Sequence, residues 1–247
     1  MNFSSKLEYA ERWDECWAHV ESQPWYPDEQ VVRFLAHNLS RKTGFGIEQV
    51  CFANGRRSVG LDMGCGKGRH VILMTDLNID AYGMDVSAVA IKFAGDWLHS
   101  LGRSADLRTA SITKLPYEDS KFDFVICHGV LDHTLYEVRK EAISEVKRVL
   151  SDGGLFFVSL ISENDSAYGY GAPIEEMTWL VDEGFEREIP QAFFNQQRIQ
   201  AEFGEFEIES EVLCESNTLK GRSLIGTDKH YQLDSRYYLT LRKRFED

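Results

Sequence analysis

The sequence predicts an α/β protein with a doubly wound, mostly parallel sheet. Three observations carry this reading. Residues 58–63 alternate apolar and small side chains, as a buried strand does. Glycines at 64, 66 and 68 break that run, and the apolar-periodic stretch Val71, Ile72, Leu73, Met74 follows as a helix. Strand-like and helix-like segments then alternate as far as residue 160, the pattern of a parallel sheet with crossover helices. The length of 247 residues allows one large domain with a sizeable core, and 43% hydrophobic with 27% charged residues is ordinary globular usage.

The glycine turn carries the first chemical signal. Glycine is needed where the backbone turns through positive φ or where a ligand approaches the main chain closely. A strand–turn–helix also aims the N–H groups of the new helix at whatever sits above the strand end. A dinucleotide fingerprint would want a third glycine at position 69, where Arg69 stands. A P-loop would want Ser or Thr after its lysine, and Lys67 is followed by Gly68. Asp62 lies two residues before Gly64, where a carboxylate can accept from a cationic amine. The next strand, Ile79 to Met84, ends at Asp85. That carboxylate falls ~20 residues beyond the turn, where nucleotide folds place the acid that accepts from ribose hydroxyls. A plain helix cap for the segment starting near Ser87 is the alternative reading.

Asp62-Met63-Gly64-Cys65-Gly66-Lys67-Gly68-Arg69 resembles motif I of the class I S-adenosylmethionine-dependent methyltransferases, in the form with Arg after the last glycine that is similar to their small-molecule branch. Asp85-Val86-Ser87 resembles motif II. Ser111-Ile112 with Lys114-Leu115-Pro116-Tyr117 resembles a segment in which an acid accepts from the adenine amino group. Ser111 takes the place of that acid and accepts more weakly. Arg148 to Gly154 resembles the family's Arg-x-Leu-x-Pro-Gly-Gly, with Asp152 replacing Pro. The resemblance covers residues 56–160 well and the tail loosely.

It implies a seven-stranded Rossmann-like methyltransferase fold with an antiparallel C-terminal strand pair and an N-terminal helical lid. The expected divisions are 1–45 (lid), 46–160 (core), 161–204 (substrate-side arm and helix) and 205–247 (closing strands). The implied cofactor is S-adenosylmethionine, with S-adenosylhomocysteine as product. Asp62 would hold its amine and the turn at Gly64, Cys65 and Gly66 its methionine end, while Arg69 would either meet its carboxylate or salt-bridge on the helix. Asp85 would bind ribose, Val86, Ser111 and the Ile112 backbone the adenine, and His128 would line the methionine end.

The acceptor is read from the end of the fourth strand, Phe122 to Cys127, and the stretch His128 to His133 beyond it. Strand C-termini in open α/β sheets face the ligand crevice. His133 is the candidate general base, since its ordinary pKa lies near working pH, with Asp132 orienting it or capping the next helix. DNA-base methylation is disfavoured: no Asn/Asp-Pro-Pro-Tyr stands here, and Cys127 follows Ile126 and not Pro. A net charge of −13 disfavours broad phosphate-backbone contact, so RNA is disfavoured as well. No apolar run approaches the ~20 residues that span a bilayer, and the first residues lack a signal-like apolar stretch. The five cysteines are scattered without metal-ligand spacing, which reads as reduced thiols in the cytoplasm and no metal. The expectation is methyl transfer to an oxygen or nitrogen of a small molecule. The alternatives are an RNA- or protein-directed enzyme, or a SAM-binding module without turnover.

The flanks are read for access to this site. Leu7, Ala10, Trp13, Trp17 and Val20 fall on one helical stripe, with Trp13 and Trp17 read as packing aromatics. Pro24-Trp25-Tyr26-Pro27 interrupts, which makes Trp25 and Tyr26 the substrate-side candidates of the lid. Asp28 should cap a helix through Leu39. The polar, glycine-rich loop after residue 161 offers Tyr168 and Tyr170 to substrate. Glu175 to Asp182 admits a helix, but an extended arm through Thr178-Trp179 is favoured. Asn195 should cap a helix through Phe203, and Phe206 to Cys214 should pair with Arg236 to Arg242.

Overall fold

The computed structural model describes residues 6–18, 26–44, 46–49, 56–182, 184, 186–220 and 230–245. Five parallel strands make the centre: β3 (Val59–Met63), β4 (Asp80–Asp85), β5 (Asp106–Thr109), β6 (Phe122–Cys127) and β7 (Leu150–Ser162), in the order β5-β4-β3-β6-β7. The order reverses direction at β3, so β3 and β6 flank the switch point where a doubly wound sheet opens its ligand crevice. Beyond β7, β12 (His230–Lys243) pairs antiparallel with it and β11 (Phe206–Lys220) pairs with β12. These seven strands are the sheet the sequence implied.

All six residues of β6 are buried, as a central strand covered on both faces requires. From Phe124 to Cys127 alternate residues serve two cores, and Phe122, beyond an irregularity in the β6–β7 register, joins the core of Val125. Phe122 and Val125 pack with Ala142 and Val146 of α5 (Tyr136–Val149) and with Ile199 and Phe203 of α6 (Gln196–Phe203). Phe124 and Ile126 pack with Val31, Phe34 and Leu35 of α2 (Glu29–Asn38), Val71 and Met74 of α3 (Arg69–Asp76), and Leu98 of α4 (Ala88–Ser100). Gly60 is fixed by this packing, because a Cβ there would sit 2.1 Å from the Phe124 ring.

The caps follow the sequence. Asp28 accepts from the Gln30 and Val31 amides at the start of α2, Ser87 from Ala90 at α4, and Asn195 from Arg198 at α6. Residues 172–180 form strands β8 (Ala172–Glu175) and β9 (Thr178–Leu180) and no helix. They join the sheet through β10 (Pro190–Phe194), which runs parallel to the end of β7. This is the extended arm. A small hairpin of β1 (Ser40–Thr43) and β2 (Gly46–Gln49) was not foreseen and straddles the expected boundary at residue 45. Helix α1 (Lys6–Ala18) lies across the C-terminal ends of the parallel strands.

Candidate active site

Four strand ends converge on one cavity of about 350 Å³. Gly64 follows β3, Asp85 and Val86 follow β4, Ser111, Ile112 and Thr113 follow β5, and Gly129 and Val130 follow β6. Tyr9, Trp13 and Trp17 of α1 close it from above. Thr134, Leu135, Glu137, Val138 and Glu141 at the start of α5, with Pro190, complete the wall. Among the described lining residues there is no Lys, Arg or His.

The glycine turn is built to leave no room for side chains. Gly64, Gly66 and Gly68 all have positive φ, at 76°, 51° and 89°. A Cβ at Gly64 would lie 2.4 Å from Val130, and one at Gly66 would lie 2.7 Å from the Trp17 indole. The turn's amides correct an expectation. Gly64 and Cys65 both donate to the Met84 carbonyl, Gly66 donates to Asp85 Oδ2 at 2.9 Å, and Gly68 donates to the Cys65 carbonyl. These four N–H groups are consumed in tying the turn to β4 and to itself, so they are not free for a ligand. The carboxylate of Asp85 also caps Ser87 N through Oδ1 at 2.9 Å. Burial pushes Asp85 up to about 6, with the neighbouring Asp62 adding to the rise and the Ser87 and Gly66 amides opposing it.

Of the cofactor residues expected from sequence, Gly64, Asp85, Val86, Ser111 and Ile112 line the cavity together. Asp62, Cys65, Gly66, Arg69 and His128 stand behind its wall. Cys65 is buried with its Sγ turned back to the Gly66 carbonyl. Arg69 reaches the Tyr26 carbonyl at 3.4 Å and lies 3.4 Å from His128 Nδ1. His128 Nε2 is 3.1 Å from Asp28 Oδ2. Burial pushes His128 below its ordinary value, while Asp28 pulls the other way. Burial alone would raise Asp28, but His128 and the Gln30 and Val31 amides outweigh it and hold this carboxyl well below the usual range. His128 is thus a partner of the α2 cap and not part of the cavity wall. Sequence could not foresee this, because Asp28 lies far away in the chain.

His133 is also set back. It is buried, its ring meets Trp13 edge-to-face at 5.8 Å, and its carbonyl accepts from Tyr9 Oη at 2.7 Å. Its Nε2 is 3.7 Å from Glu186 Oε1 and 4.0 Å from Asp132 Oδ1, and its Nδ1 has no hydrogen-bond partner. Arg236 donates to Asp132 Oδ2, which leaves Oδ1, the oxygen nearer His133, without a hydrogen-bond donor. The cavity side of this turn is Trp13, Thr134 and Leu135.

The substrate-side aromatics expected from sequence do not gather here. Tyr26 is 81% exposed and does not line the cavity. Tyr168 packs edge-on against Trp179 and Phe193 in the arm, and Tyr170 is exposed. Trp25 lies outside the described residues. Trp13 and Trp17, read as packing aromatics, are cavity wall as well as packing. Their helix is pinned at three points. Asp14 accepts from Ser87 Oγ and from Val89 N at the start of α4, Tyr9 holds the His133 carbonyl, and Arg12 Nε donates to the Arg187 carbonyl at 2.8 Å.

Residues 61–158 match the family model of the methyltransferase domain. A tRNA (carboxymethyluridine(34)-5-O)-methyltransferase of Saccharomyces cerevisiae is 31% identical over 122 residues, covering 48% of this chain and 42% of that one. The chain spans less than two thirds of the curated relatives it matches first, 22%, 32% and 41% of their lengths. A solved SAM-dependent methyltransferase of Methanosarcina mazei superposes with a TM-score of 0.65 at 23% identity, over 77% of this chain and 94% of that one. A structure described as conversion of a disulfide bond into a thioacetal group during echinomycin biosynthesis superposes with a TM-score of 0.67 at 19% identity, over 97% and 94%.

The residues present fit the family's cofactor on two observations. Asp62 Oδ2 is a buried acceptor without a hydrogen-bond donor, as a site for an ammonium group requires. The glycine turn and the Asp85 carboxylate meet at one cavity wall, beside the Ser111–Ile112 loop. Residues 61–158 thus match a methyltransferase domain, and the sheet around them has the fold of a solved S-adenosylmethionine-dependent methyltransferase.

Proposed function

We propose that the protein methylates an oxygen or nitrogen of a small acceptor that is neutral or cationic. The observation that carries this is the cavity, which joins a nucleoside wall (Asp85, Val86, Ser111, Ile112) to an aromatic and acidic wall (Tyr9, Trp13, Glu137, Glu141) under one helix. When bound, S-adenosylmethionine supplies an electrophilic methyl group on a cationic sulfur. Asp85 accepts from the ribose hydroxyls, Asp62 takes the ammonium through its unpaired oxygen, and Ser111 with the Ile112 backbone reads the adenine edge. Trp13 and Tyr9 keep water from the acceptor and fix its approach, and such positioning can supply on the order of 7–11 kcal/mol of the barrier. For an acceptor that must lose a proton, His133 is the base. Its ring becomes accessible when the Trp13 indole turns off it, and a base adds roughly 10²–10⁴-fold.

A second reading is methylation of RNA, favoured by relatives named as tRNA methyltransferases in two yeasts. The absence of Lys and Arg among the described cavity residues and the net charge of −13 speak against a phosphate-rich acceptor.

The deciding experiment is tritiated-methyl transfer to panels of amine, phenol and sugar acceptors, with total tRNA and a protein mixture in parallel. Transfer to a small molecule at pH 7–8 supports the proposal. Transfer to tRNA alone overturns the small-molecule reading. His133→Ala at full turnover removes the base.

A further inference from the structure

Behind the glycine turn, three residues outside the cavity lining meet: Asp28 at the cap of α2, His70 in the first turn of α3, and Asp62 in β3. The Asp28 amide donates to His70 Nε2 at 3.2 Å. A backbone N–H can only donate, so Nε2 is the accepting nitrogen and the imidazole carries its proton on Nδ1. That nitrogen faces Asp62 Oδ2 at 3.8 Å. Both side chains are buried, and Oδ2 has no hydrogen-bond donor. The imidazole also meets the ring of His128, edge-on at 5.3 Å, whose Nε2 lies 3.1 Å from Asp28 Oδ2.

We propose that His70 is a positioning residue of the cofactor site: the Asp28 amide fixes it as the Nδ1–H tautomer, and that proton orients the Asp62 carboxylate for the cofactor's ammonium. The logic is that of an outer partner which sets a histidine's tautomer and thereby aims its other nitrogen. It rests on the reading of Asp62 as the ammonium acceptor. It adds that the segment before α2 is part of the cofactor site at a distance, through one backbone amide. A His70 that served only to accept the Asp28 amide would keep the same tautomer, but cofactor affinity would not then depend on which ring nitrogen a replacement mimics.

Two amide side chains separate the possibilities. Asn at position 70 presents an N–H near the Nδ1 position, whereas Gln presents its amide near Nε2. Dissociation constants for S-adenosylhomocysteine are measured by calorimetry on the wild type, His70→Asn and His70→Gln, with thermal melts to confirm folding. His70→Asn should bind within about threefold of the wild type and His70→Gln at least tenfold more weakly. Long-range ¹H–¹⁵N spectra of histidine-labelled protein at pH 7.5, with His70 assigned from its absence in His70→Asn, should show the Nδ1–H tautomer. The opposite tautomer, an imidazolium, or equal effects of the two variants would overturn the proposal. Should the wild type not bind S-adenosylhomocysteine at all, the cofactor reading itself falls, while the spectra still report the tautomer.

Discussion

The indole of Trp17 rests on Gly66, so close that a methyl group on Gly66 would lie 2.7 Å from two of its ring carbons. The roof helix and the motif turn are therefore fitted to one another at a single residue. Gly66 also sits at φ 51°, where a side chain adds backbone strain. Gly66→Ala should displace α1 while the buried sheet stays folded. The expected outcome is a red-shifted tryptophan emission, faster proteolysis before residue 26, and at least tenfold weaker binding of S-adenosylhomocysteine. Unchanged emission with unchanged affinity would show that the contact does not hold the roof.

Asp85 gives the site a proton linkage whose sign can be worked out. Burial raises its pKa to about 6, above the ordinary carboxylate value of 3.8, so the folded protein without ligand holds this proton more tightly than the unfolded chain does. Its contribution to stability is present at low pH and is lost as the pH rises through about 6. Ribose hydroxyls donating to the carboxylate favour the charged form and lower that pKa. Cofactor binding near pH 6 should therefore release a proton, and affinity should rise with pH up to about 7 and then level. Calorimetry in buffers of different ionisation enthalpy checks this. Release of up to one proton near pH 6 and none at pH 8 is expected, and Asp85→Asn should abolish the dependence.

Arg139 is fully buried, although it is charged, and it lies one turn from the cavity wall. Its guanidinium donates to Glu202 Oε2 at 2.9 Å and Oε1 at 3.2 Å, and to the Thr134 carbonyl. Arg198 also donates to Glu202 at 2.7 Å. Removing Arg139 leaves the Thr134 carbonyl without its donor and Glu202 with Arg198 alone, and the loss of a member from a buried charged network costs up to about 3–5 kcal/mol. Arg139→Ala should lower the melting temperature by roughly 10 °C in a chain of this size. Replacing Arg139, Arg198 and Glu202 together by Met should recover much of that loss, because apolar groups then replace every charge of the network. A single variant as stable as the wild type would mean that water reaches the pair.

The fold was legible because its signals are local. The glycine spacing at 64–68, the carboxylate at the end of β4 and the caps at Asp28, Ser87 and Asn195 each act over a few residues. What stayed hidden depends on pairings across the chain. Asp28 meets His70 over 42 positions and Arg236 meets Asp132 over 104, and neither shows in any periodicity. The helical stripe of Trp13 and Trp17 announced a buried face but not what that face would cover. The amides of the glycine turn looked available in sequence, yet the Met84 carbonyl and Asp85 consume them. Nothing local marks Glu137 and Glu141, because only the position of α5 beside the strand ends makes them cavity wall.

That acidic wall sets the charge of what can enter. Glu137 and Glu141 stand one helical turn apart on α5, and Tyr9 and Trp13 belong to the same cavity. Their rings meet edge-to-face at 6.3 Å and present apolar faces. A partly exposed carboxylate attracts a cation by about 0.2–1 kcal/mol, and an aromatic face adds roughly 0.5–1 kcal/mol at such a site. Together they favour an ammonium-bearing ligand over its neutral isostere by about tenfold, and they repel a carboxylate or phosphate. Tryptophan fluorescence titrations of the protein saturated with S-adenosylhomocysteine, using phenethylammonium, phenylethanol and phenylacetate, measure this directly. The ammonium compound should bind most tightly and lose its advantage at high salt. Glu137→Gln with Glu141→Gln should bring it level with the alcohol. Tighter binding of phenylacetate would mean that a cation outside the described cavity wall governs the acceptor, and the charge assignment would fall.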